Sequence, residues 1–127
     1  MRAADYFKEV RIMTEASPFD KACELAQAIK QSQAFQRYLA AKQLLDRHPE
    51  YKQKVLKVRS VQMEVNRAHV LGAQLPADLL SELSQQLAEA NQYPEIAEFF
   101  AAETDYVNMF QEIQNIINGA LDAELKD

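Results

Sequence analysis

Residues 95–125 read EIAEFFAAETDYVNMFQEIQNIINGALDAEL, and within them Ile96, Phe99, Tyr106, Phe110, Ile113, Ile117 and Ala120 recur at steps of three, four or seven. That rhythm places them on one side of an α-helix. Phe100, Val107, Met109, Ile116 and Leu121 flank the row and widen it to the roughly 100° face that a packed helix buries, beyond the narrower two-in-seven seam of a coiled coil. Other helices must therefore lie along it. Some thirty residues at about 1.5 Å each give a rod of about 45 Å, whereas a compact sphere of this chain length is only about 36 Å across. The expectation is an elongated molecule, or a stripe shared with a second chain.

The rest of the composition agrees with helices. The 127 residues are 48% hydrophobic and include only two glycines, too few for the turns of a sheet, while Ala, Leu, Gln, Glu and Lys are abundant. The predicted fold class is all-α: an elongated antiparallel bundle of about five helices with a long C-terminal helix. The length suits one domain with a real core. A single helical domain is expected over residues 1–127, with an N-terminal helix or arm over 1–16 and a helical core over 18–123.

Pro18, Pro49, Pro76 and Pro94 supply the punctuation, since proline at the first helical position sacrifices no intrahelical hydrogen bond. Residues 3–15 form the arm, with Tyr6, Phe7, Val10 and Met13 apolar; at that length it needs something to pack on. Residues 19–46 carry Ala22, Leu25, Ile29, Phe35, Tyr38, Leu39 and Leu45, but the rhythm falters at Gln31-Ser32-Gln33. A serine there is suited to cap a new helix, so a kink or short break is expected near Ser32. The third segment, 50–71, places Tyr51, Val55, Val58, Val61, Val65 and Ala68 on one side, with Leu56, Met63 and Val70 at seven-residue spacing beside them. So many β-branched residues are held helical only by burial. Gly72 is suited to end that helix. The fourth segment, 77–92, turns Leu79, Leu80, Leu83 and Leu87 inward, and the tight connection at 91–93 sets it antiparallel to the long helix.

Charge is divided along the chain. Residues 1–75 hold thirteen Lys and Arg against eight acids, whereas residues 76–127 hold Lys126 alone against eleven. Basic and acidic helices are expected side by side, within the fold or across a dimer. The basic window, with Lys42, Arg47, Lys52, Lys54, Lys57 and Arg59 at its centre, is the one hint of a ligand surface, for RNA or an acidic partner. No recognised nucleic-acid-binding motif accompanies it.

The residues for chemistry are sparse. There is no glycine-rich phosphate loop, Gly-x-Ser-x-Gly, His-Glu-x-x-His, Glu-x-x-His or Cys-x-x-Cys. No catalytic, cofactor-binding or metal-ligating residue is assigned. Cys23 is the sole cysteine and reads as a small buried hydrophobe; His48 reads as a helix-end residue and His69 as a partly buried one. Glu98, Asp105 and Glu112, seven apart, read as a solvated face. Charges run through residues 1–10, and no run of eighteen apolar residues occurs, so the expectation is a soluble, cytoplasmic protein with no membrane partner.

Several stretches together resemble a known family: Glu24-Leu-Ala-Gln-Ala-Ile-Lys-Gln-Ser32, Tyr38-Leu-Ala-Ala-Lys42, His48-Pro-Glu50, Gly72-Ala-Gln-Leu-Pro76, Phe99-Phe-Ala-Ala-Glu103 and Phe110-Gln-Glu-Ile-Gln-Asn-Ile-Ile117. Over about residues 19–120 the chain resembles the YlbF/YmcA family of small helical bacterial proteins, and in length its short YheA-like branch, whose members have no assigned role. The resemblance implies a non-enzymatic regulator that works in protein complexes bearing on competence, sporulation, biofilm formation or messenger-RNA processing through a ribonuclease. Longer relatives carry a cysteine-rich tail associated with an iron–sulfur cluster; with Cys23 alone, no cluster is expected here.

The functional expectation is thus a non-catalytic interaction protein whose partners are itself and other proteins, family relatives or a ribonuclease among them. The alternative is a direct RNA-binding accessory factor using the basic window. Self-association follows from the long helix, because Phe110, Ile113, Ile116 and Ile117 left in water would form a patch larger than soluble monomers usually expose. A two-fold homodimer is expected, with these residues or the arm around Tyr6, Phe7 and Val10 at the interface.

Overall fold

The computed structural model describes residues 17–126, and among them every regular element is an α-helix. In chain order these are α1 (Pro18–Gln31), α2 (Gln33–Asp46), α3 (Pro49–Val70), α4 (Ala77–Ala90) and α5 (Pro94–Leu125). The arm with Tyr6, Phe7 and Val10 lies outside the described residues. The chain divides into two compact units, Met1–Gln36 and Arg37–Asp127.

In the first unit, serines set the helix boundaries. The Ser17 hydroxyl accepts the Asp20 N–H at 3.1 Å, capping α1 just before Pro18. The expected break falls at Ser32, whose backbone is extended at φ −69° and ψ 151°. Its hydroxyl donates to the Ile29 carbonyl at 2.6 Å and accepts the Phe35 N–H at 3.2 Å. One side chain therefore closes α1 and caps α2. Gln36 Nε2 reaches back across the break to the Lys30 carbonyl at 2.6 Å.

The second unit holds α3, α4, α5 and α2 from Arg37 onward. Its centre is Val58 and Ile96, both without solvent exposure, surrounded by Ala41, Leu45, Val55, Ala90, Phe99 and Ala102. The three-residue spacing of Val55, Val58 and Val61 buries all three, with Val55 and Val58 in this core, and that burial offsets their weak helix propensity. On α4, Leu79, Leu83 and Leu87 are half-buried, but Leu80 faces out, because adjacent helix positions diverge by about 100° and α4 buries only one side.

Each connection has a local cause. Gly72 adopts φ +68°, and its N–H bonds the His69 carbonyl while that of Ala73 bonds the Ala68 carbonyl. This closes α3 in a Schellman turn. Pro76 stands at the N-cap position of α4 rather than in its first turn, a departure from the sequence expectation. Tyr51 lies against Tyr93 with centroids 5.2 Å apart, and Arg59 lies over Phe99 at 5.6 Å. Rising numbers on α3 thus meet rising numbers on α5, so these two helices run parallel and α4 returns between them.

Candidate interaction surface

The apolar row of α5 leaves its cover part-way along. Ile96, Phe99 and Ala102 are buried and Tyr106 and Ile113 half-buried, but every residue from Gln114 to Lys126 is exposed. The composition does not change at that point. Phe110 is 40% exposed, Ile117 46% and Ile116 72%, all on or beside the row that is buried below them. Beyond Gln114 the cause is length. Arg59 pairs with Glu103, and the parallel α3 ends eleven residues later at Val70, level with about residue 114. The last turns of α5 therefore extend about 16 Å past the end of α3.

A second uncovered apolar row lies on α3. Leu56, Met63 and Val70, seven residues apart, point away from the core, with Met63 70% and Val70 82% exposed. Together with Asn66, Arg67 and Leu71, Met63 and Val70 line an open depression of about 430 Å³. The sequence shows the spacing of this row but not that it is left uncovered.

Charged side chains fasten the proximal half of α5. Arg37 of α2 donates through Nε and Nη2 to the Glu98 carboxylate and through Nη1 to Asp105 at 2.6 Å. Its guanidinium is held more firmly protonated, chiefly by the Glu98 hydrogen bond, and the same bond pulls the Glu98 carboxyl below the ordinary range. The seven-residue spacing of Glu98 and Asp105 is thus a pair of acceptors for one arginine, where the sequence implies only a solvated face. Glu103, three-quarters buried, binds Arg59, which also lies over the Phe99 ring. These pairs join the basic and acidic halves inside one unit.

The six central cations do not gather on one open face. On α3, Lys52 and Arg59 are seven residues apart and share a side, whereas Lys54 and Lys57 project about 200° and 140° away from Lys52. Lys52 bridges Asp46 at 3.3 Å and Lys54 lies over the Tyr93 ring at 5.1 Å; Lys42, Arg47 and Lys57 are exposed.

Two further depressions occur in this unit. One, of about 130 Å³, includes Lys42, Leu45, Asp46, Lys52, Val55 and Phe99 in its wall; the other, of about 270 Å³, lies among Lys57, Ser60, Val61, Glu64, Glu82 and Gln86. Tyr38 has its hydroxyl pKa raised by burial, and Tyr51 by the Glu95 charge and then by burial; neither lines these depressions. Among the described residues no three His, Cys, Asp or Glu side chains stand close enough to hold a metal ion. His48 stands at the N-cap position of α3 without a side-chain capping bond, its Nδ1 3.6 Å from Glu50, and His69 is exposed rather than partly buried. No described helix is long and apolar enough to cross a membrane.

With this arrangement in view, residues 19–122 match the family described as "Control of competence regulator ComK, YlbF/YmcA". The chain belongs to the YlbF/YmcA family. Similar proteins include a UPF0342 protein of Caldicellulosiruptor saccharolyticus, 30% identical over 86% of this chain and 89% of the relative. Another from Caldicellulosiruptor bescii is 28% identical over 86% and 90%. A solved structure described as a protein of unknown function (DUF964) from Bacillus stearothermophilus superimposes with a TM-score of 0.71 at 24% identity, over 85% of this chain and 95% of that one. At that identity the match speaks for the all-helical fold alone.

Proposed function

We propose that this YlbF/YmcA protein is a non-catalytic regulatory protein that acts through protein–protein contacts, itself a homodimer, and that the distal half of α5 makes the contacts. The observation that carries this reading is the uninterrupted apolar row that runs out of the core and on into solvent through Phe110, Ile117 and Leu121. Exposed rows of this kind are a standard mode of recognition between helices. The family's description as a control of a competence regulator supports a place in competence control; sporulation, biofilm formation and messenger-RNA processing are the other processes such a regulator would serve.

Light scattering on the intact chain beside Ile116→Lys and Ile117→Lys tests the surface. The wild type is expected as a dimer at micromolar concentration and the variants as folded monomers of unchanged helicity. A wild-type monomer would overturn the self-association. Affinity purification of the same three chains from cells tests the regulatory role: protein partners retained by the wild type and lost by the variants support it. Recovery of RNA alone would overturn it. The RNA-accessory alternative predicts retardation at low salt that fades steeply as salt rises.

A further inference from the structure

The α5 tail and the outer row of α3 have the properties of two halves of one joint. We propose that in the homodimer each copy lays its α5 tail on the α3 row of the other copy, giving two identical crossed contacts related by a two-fold axis. The inference rests on the dimer reading and adds to it the identity of the two surfaces.

Three observations favour exchange over the simpler pairing of like with like. The first is length: Leu56 to Val70 and Val107 to Leu121 each span fourteen residues, about 21 Å of helix. The second is charge. Residues 107–125 carry Glu112, Asp122 and Glu124 and no cation, whereas the depression at the end of the α3 row carries Arg67 and no acid. Tail on tail would bring acids to acids, and α3 on α3 would bring Arg67 to its own copy. Only tail on α3 sets opposite signs together. The third is geometry. Because α3 and α5 run parallel and the tail overshoots α3 by about 16 Å, two copies placed head to foot and offset by that length lay each tail beside the other's α3. One such contact is too small for a stable dimer, which requires on the order of 1,000 Å²; symmetry doubles it.

In this arrangement the paired helices are antiparallel. With Val107 level with Val70 of the partner subunit, Leu121 falls level with Leu56 of the partner subunit.

Cysteine cross-linking tests the joint in a Cys23→Ala background. Two full-length chains, one carrying Val107→Cys and the other Val70→Cys, are mixed, allowed to exchange and oxidised. A disulfide-linked dimer is expected in the mixture and in neither chain alone. Arg67→Glu should weaken the dimer at least tenfold by light scattering or sedimentation. A dimer that cross-links to itself through Ile117→Cys, with no linkage in the Val107/Val70 mixture, would overturn the exchange while leaving the dimer standing. A chain that stays monomeric removes both.

Discussion

The rings of Tyr38 on α2 and Tyr106 on α5 stack with centroids 5.1 Å apart and planes 4° from parallel. Tyr38 also meets Phe99 at 5.7 Å, and Tyr106 continues to Phe110 at 6.3 Å. This aromatic chain links the buried part of α5 to its exposed part. A double-mutant cycle with Tyr38→Leu and Tyr106→Leu, read by chemical denaturation, should give a coupling of about 0.5–1.5 kcal/mol beyond the single costs. Simple additivity would show that the stack contributes no more than its area.

The Arg37 clasp has a signed dependence on pH. The Glu98 carboxyl is pulled down in the folded state by its hydrogen bond to Arg37. Its contribution to stability is therefore complete above the unfolded value of about 4.3 and is lost as pH falls through the depressed folded value. Arg37→Ala should be less stable than the wild type at neutral pH, with the difference shrinking in acid below about pH 4. Thermal melts of the two chains from pH 7 to pH 3 measure it. A difference independent of pH would assign Arg37 a packing role instead.

The two glycines should respond oppositely to alanine. At Gly72 nothing lies within 4 Å of an added Cβ, yet φ is +68°, so the whole cost of Gly72→Ala is backbone strain of about 1–2 kcal/mol. Gly119 lies inside α5, also with open space around it, and Gly119→Ala should stabilise the helix by about 0.5–1 kcal/mol. Denaturant midpoints for both variants check the pair of signs.

Ser32 serves two helix ends through one hydroxyl. Ser32→Ala removes both bonds and should cost about 1 kcal/mol, whereas Ser32→Asp keeps the acceptor for Phe35 and should recover most of that cap. Equal losses in the two variants would show that the cap is not what matters at the break.

The core admits little truncation at its centre. Ile96 has no solvent exposure, so Ile96→Ala should cost about 2–5 kcal/mol, while Ile116→Ala, on the uncovered tail, should leave the stability of the monomer nearly unchanged. Denaturation at low protein concentration compares them.

What the sequence alone determined is local. The three-and-four rhythm of 95–125 required a long helix, the valines at 55, 58 and 61 required burial, Ser17 and Ser32 carried their caps, and Gly72 carried its turn; each depends on residues within a few positions of one another. The tertiary structure decided how far each helix is covered, because cover depends on where a neighbour ends. Phe99 and Ile117 are both large apolar residues on the same row, and one is buried while the other is 46% exposed because α5 continues beyond the end of α3. The same holds for charge. Arg37 clasps Glu98 and Asp105 across 61 and 68 residues of sequence, a meeting that no spacing along the chain announces, since it depends on the packing of α2 against α5.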